Sequence, residues 1–108
     1  MRIVESHEID GLTCFVIRYD RHDGPHYCGY VRIPPGHPWY RMESHEIPDD
    51  GGVYGGITFT GRREKNSNSW YVGFDLLWDE GRNDNPNFAM TEVLKLGLAA
   101  ARATHNSQ

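Results

Sequence analysis

Apolar positions come in short alternating or continuous runs, separated by Gly, Pro and Asp clusters, until one long stretch near the C-terminus changes period. Arg2–Ile9 reads as a weakly patterned strand. Asp10-Gly11 is a hairpin signal, because both residue types tolerate positive φ. Leu12–Tyr19 follows, with Phe15, Ile17 and Tyr19 on one face and Cys14 and Val16 on the other. A strand apolar on both faces is expected to be central and covered on both sides. Asp20–His26 is read as a turn and Tyr27–Ile33 as a third strand.

Pro34-Pro35-Gly36-His37-Pro38 then excludes both helix and ladder. Trp39–Glu46 fits a short helical turn or an edge segment, and Pro48–Gly52 a loop. Tyr54–Thr60 is expected to be a fourth strand, Gly61–Ser69 a polar hairpin loop with Arg62, Arg63 and Lys65, and Trp70–Leu76 a fifth strand. After an Asp79–Pro86 loop the period becomes helical. Asn85 can cap, Pro86 suits the first helical position, and Met90, Val93, Leu94, Gly97, Leu98 and Ala101 recur at three and four.

Strands followed by one helix predict an α+β fold: an antiparallel sheet of about five strands with the C-terminal helix packed on a face. Residues 1–104 form one domain and 105–108 a frayed tail. The helix stripe covers one sheet face, so the other needs a loop, a partner or a second copy. That need makes a homo-oligomer the expectation.

At 108 residues there is room for one domain. Eleven Lys and Arg against fifteen Asp and Glu give a net charge of −4, which argues against a nucleic-acid binder, because phosphate neutralisation needs a basic footprint. No apolar run approaches a membrane span and the N-terminal residues carry no apolar signal stretch, so a cytoplasmic location is expected.

Cys14 and Cys28 form no CxxC motif. They read as two buried thiols, while a bridge across adjacent antiparallel strands is compatible with their spacing. The histidines fall at no HxH or HExxH spacing, and His22 and His26, four apart, flank a turn. Their nearest cluster is His22, His26 and Cys28 beside Asp20 and Asp23; three such ligands plus water could make a catalytic zinc site, but solvated loop histidines are the stronger reading and no native metal site is expected. There is no P-loop, no GxGxxG and no Gly-x-Ser-x-Gly elbow, so no cofactor and no catalytic residue is assigned.

Aromatic residues beside Arg are the least bland feature. Trp39, Tyr40, Tyr54 and Trp78 offer ring faces for stacking, and Arg32 and Arg41 offer forks for anions. His37 lies in the same proline loop. Asp75 is the odd carboxylate of an apolar strand, expected either to pair with Arg32 or Arg18 or to face a ligand. These eight residues form the candidate ligand shell.

His26-Tyr27-Cys28-Gly29-Tyr30-Val31-Arg32-Ile33-Pro34-Pro35-Gly36-His37-Pro38 resembles the H-x-CGYV-x-[VI]PPGHP stretch of a family of small proteins encoded by tailed phages, notably of actinobacteria, and by prophages. Gly55-Gly56-Ile57-Thr58-Phe59 is similar to that family's HGGLTY segment, and Trp70–Asp75 to its WWFGFD strand. Tyr54 stands where the family commonly has His, and Leu76-Leu77-Trp78 where it commonly has Cys-Ala-His, so a metal reading built on those family residues does not transfer. The resemblance implies a phage origin. With it, the expected function is a binding protein that counters host defence by sequestering a small anionic, nucleotide-type signal. The alternatives are a stoichiometric inhibitor of a host defence protein, with Asp49-Asp50 and Asp79-Glu80 as contacts, and a small hydrolase using His26 or His37.

Overall fold

A computed structural model describes residues 2–64, 68–77, 79 and 81–106. Five strands, β1 (Arg2–Ile9), β2 (Leu12–Arg21), β3 (Gly24–Ile33), β4 (Phe59–Gly61) and β5 (Trp70–Asp75), precede one helix, α1 (Pro86–Asn106). The sheet order is β1-β2-β3-β5-β4, every neighbouring pair is antiparallel, and α1 packs against the sheet. This is the α+β architecture the pattern predicts.

The alternating sets on β2, β3 and β5 build two layers. Leu12, Cys14, Val16, Val31, Ile33, Val72 and Phe74 face α1 and join its buried residues in the main core. Phe15, Ile17, Cys28, Tyr30 and Tyr71 form a second cluster on the opposite face. That face is closed within one chain. Tyr19 and Phe59 pack against it, and the Arg63 guanidinium lies 4.6 Å from the Tyr30 ring centre and 5.9 Å from those of Phe15 and Tyr71. A loop therefore supplies the cover, and a second copy is not needed to bury these rings. Cys14 and Cys28 lie in different clusters on opposite faces and are free, so no bridge joins them.

Several boundaries differ from the sequence reading. β2 and β3 run on to Arg21 and back from Gly24, because Tyr19, Asp20 and Arg21 keep the ladder with His26, Pro25 and Gly24 whatever their polarity. The fourth strand is only Phe59–Gly61, because Gly55 and Gly56 adopt φ of 79° and 84° and break extended geometry. The helix starts at Pro86 as predicted, with Asn85 Oδ1 accepting the Phe88 N–H at 3.0 Å, but continues to Asn106. Its inner stripe is also rotated. Ala89, Val93, Leu96 and Ala100 are fully buried, whereas Leu98 is 47% exposed. Small residues let the helix approach the sheet closely: a Cβ on Gly97 would meet Cys14 Sγ at 2.5 Å.

Candidate functional site

The structure does not gather the candidate ligand shell around one cavity. His37, Trp39, Tyr40 and Arg41 share the loop that follows β3. Tight turns fold it: the His37 N–H donates to Pro34 O, Tyr40 N–H to His37 O and Met42 N–H to Trp39 O. Trp39 is 3% exposed and belongs to the main core. The Tyr40 hydroxyl donates to Asn68 O at 2.7 Å and its ring packs near Trp70. Exposed Arg41, at φ 64°, lies 5.8 Å from the Tyr40 ring. Arg32 reaches the neighbouring residue, donating through Nε to Ser69 Oγ at 2.8 Å.

Tyr54 stands elsewhere, with Phe88 at the start of α1 and the Arg82 guanidinium 5.2 Å from its ring centre. Asp75 is on the second sheet face; its Oδ1 accepts the Leu77 N–H at 2.7 Å and lies 3.9 Å from His26 Nε2. It pairs with neither Arg32 nor Arg18, since Arg18 holds Asp20 at 2.8 Å. Trp78, and Glu80 of the proposed acidic contact, lie outside the described residues.

His37 is a structural pin. Its Nε2 bonds Ala100 O at 2.8 Å and its Nδ1 accepts the Trp39 N–H at 2.9 Å. A carbonyl on one side and an N–H on the other assign the neutral Nε2–H tautomer. Burial holds the imidazole below its ordinary range, opposed by the Ala100 bond. The unfolded chain therefore takes up the proton first, so the stability His37 contributes is present above its unfolded pKa and lost as pH falls below it. Between pH 7 and pH 5, wild type is expected to lose more stability than His37→Gln in denaturant titrations. Equal slopes would show that protonation does not disturb the pin.

The pinned loop forms one wall of a groove of about 470 Å³. Pro38, Trp39 and Met42 line this wall, Ala99 and Ala103 of α1 the other, and Arg102, Glu46 and Asp49 supply charge. Its rim includes a turn of uncommon geometry. Asp49, Asp50, Gly51 and Gly52 have φ of 54°, 49°, 63° and 74°, four successive left-handed residues of which two carry side chains. Left-handed backbone costs a residue with a Cβ roughly 1–2 kcal/mol, less for Asp than for most. Packing holds the turn. Gly51 sits so close to Leu96 that no Cβ fits, and buried Glu92 accepts the Tyr54 N–H at 2.8 Å while pairing with Lys95 at 2.9 Å. Glu92 and Arg102 escaped the sequence reading. The available signal for Glu92 was a carboxylate lying in the apolar stripe.

A second constellation lies across the sheet. One donor atom each from His26, Cys28 and Asp75 falls within 4.8 Å of the others. The sequence grouped His26 and Cys28 with Asp20 and Asp23; the sheet register supplies Asp75 instead, directly opposite Cys28. Burial, with Asp75 adding to it, pushes the Cys28 thiol up to about 12, and burial pushes Cys14 up to about 11. Without a metal or another activating charge, neither thiol is a nucleophile near neutral pH.

Among the described residues no helix is long and apolar enough to cross a membrane. No protein-family model matches the chain, and no curated protein or solved structure is significantly similar to it.

Proposed function

We propose that the chain is a stoichiometric binding protein whose contact surface is the groove between the His37 loop, the left-handed Asp49–Gly52 turn and α1. The observation that carries this reading is an apolar groove with an acidic rim. Glu46 and Asp49 face a single cation, Arg102, so the lining is net negative. Phosphates are poorly served there, whereas a protein segment presenting an apolar side chain flanked by Lys or Arg is complementary in shape and sign. Of the two acidic loops considered, Asp49-Asp50 is exposed at this rim. Asp79 is occupied internally, accepting from the Gly81 N–H and the Arg82 guanidinium. The resemblance to phage proteins supports a host defence protein as the partner, met in the cytoplasm of an infected cell.

Capture of a small anionic signal is the second reading. Arg102, which has no ion-pair partner among the described residues, supports it by sharing the groove with Trp39. Its weakness is that Trp39 shows almost no ring surface for stacking.

Ala99→Trp fills the groove from a half-buried helix position. Tagged wild-type protein in actinobacterial lysate is expected to form a one-to-one complex with a single protein in native mass spectra. Ala99→Trp and Asp49→Asn should lose it without a change in melting temperature beyond a few degrees. Retention of the partner by both variants would overturn the groove as the contact. A melting-temperature rise with cyclic or ADP-ribose-type nucleotides, abolished by Arg102→Ala, would establish the second reading in its place.

A further inference from the structure

The His26–Cys28–Asp75 cluster shares no residue with the groove, and it contains a buried polar atom that has no hydrogen-bond partner among the described residues. His26 is 7% exposed, and among the described residues its Nδ1 is buried with no hydrogen-bond partner. Its Nε2 is 3.9 Å from Asp75, beyond hydrogen-bonding range. The ring stacks on Tyr19, with centroids 5.1 Å apart. A buried imidazole ordinarily has partners for both.

The sheet explains why the other two donors are beside it. His26 and Cys28 are two residues apart on β3 and share a face, and Cys28 and Asp75 are directly opposed on β3 and β5. Asp75 is fixed by its bond to the Leu77 N–H.

We propose that His26, Cys28 and Asp75 bind a divalent transition-metal ion of the zinc class. One imidazole, one thiolate and one carboxylate are the donor types that zinc takes, and three protein ligands leave a fourth position for water or an exogenous group. Bonds of roughly 2.0–2.3 Å place tetrahedral donors about 3.5 Å apart, so separations within 4.8 Å need a closure of about 1 Å or so. The half-exposed Asp75 side chain can supply that movement. A cavity of about 280 Å³, lined by Arg21, Asp23, Asn83 and Asp84, reaches the cluster at His26 and gives the ion a path from solvent. Binding exchanges the Cys28 thiol proton, released to solvent, for the metal–sulfur bond; no electron is transferred.

Reduced, chelator-dialysed protein titrated with Co²⁺ tests the site. The expected result is saturation at one equivalent, with a thiolate-to-cobalt charge-transfer band that Zn²⁺ abolishes by displacement. Cys28→Ser should lose the band, while Cys14→Ser, on the opposite face, should keep it. Asp75→Asn retains an oxygen acceptor for the Leu77 N–H, so it should stay folded while zinc affinity falls at least about tenfold. That variant decides the matter if Cys28→Ser fails to fold. Absence of saturable one-to-one binding to wild type, or unchanged affinity in folded Asp75→Asn, would overturn the assignment.

Discussion

Gly73→Ala is expected to be among the most damaging single-methyl additions to this protein. Gly73 lies in β5, opposed by Tyr30 on one side and Phe59 on the other. A Cβ there would collide with the Gly29 carbonyl oxygen and the Tyr30 ring. The carbonyl belongs to the adjacent strand and cannot move without disturbing the ladder. The Tyr30 ring is held by Arg63, by Phe15 at a centroid distance of 5.8 Å and by Phe59 at 5.7 Å. Overpacking of rigid neighbours costs about 3 kcal/mol or more when backbone is involved. In a domain of this size that lowers the melting temperature by at least about 10 °C. Thermal and denaturant unfolding of the variant measure it. A loss below about 1 kcal/mol would mean that the ring swings aside and the second face is loosely packed.

Trp39→Ala should cost about 3–5 kcal/mol, the range for truncating a large buried aromatic. Trp39 is 3% exposed and packs in the main core. Its backbone N–H, which donates to His37 Nδ1, survives the substitution, so the pin to Ala100 stays in place while the indole volume is lost. The void would open into the neighbouring groove, so any partner seated there should bind less well in proportion to lost wall. Trp39→Phe is expected to recover part of the stability. Chemical denaturation of the three proteins gives the ranking. Equal stability of Trp39→Ala and wild type would place the indole outside the cooperative core.

Local chemistry made most of the fold readable. Alternation on β2, β3 and β5, the Asp10-Gly11 turn and the Asn85-Pro86 helix start each depend on neighbours a few residues away. What depended on distant neighbours was not readable. Leu96 and Leu98 are equally apolar, and only the docked helix decides that the first is buried and the second is 47% exposed. Tyr54–Ile57 has strand composition at two of its four positions, yet the intervening glycines take left-handed φ. Trp39 looked like a ring on a loop because nothing local announces that the loop is tied back to α1 through His37. The same limit governs the site. Cys28 and Asp75 become partners through β3–β5 register, which no window of sequence contains. Glu92 and Arg102 acquire meaning only once the Asp49–Gly52 turn is laid beside the helix.

The strand order has a consequence for how the chain reaches this state. β1, β2 and β3 follow one another through short reversals, so their pairing closes small loops at little entropic expense. β5 must find β3 after the excursion from Pro34 to Ser69, and β4 has nothing to pair with until β5 arrives. Assembly is expected to follow that order, with the N-terminal meander forming early and the homecoming of β5, which also brings Asp75 to Cys28, as the slow step.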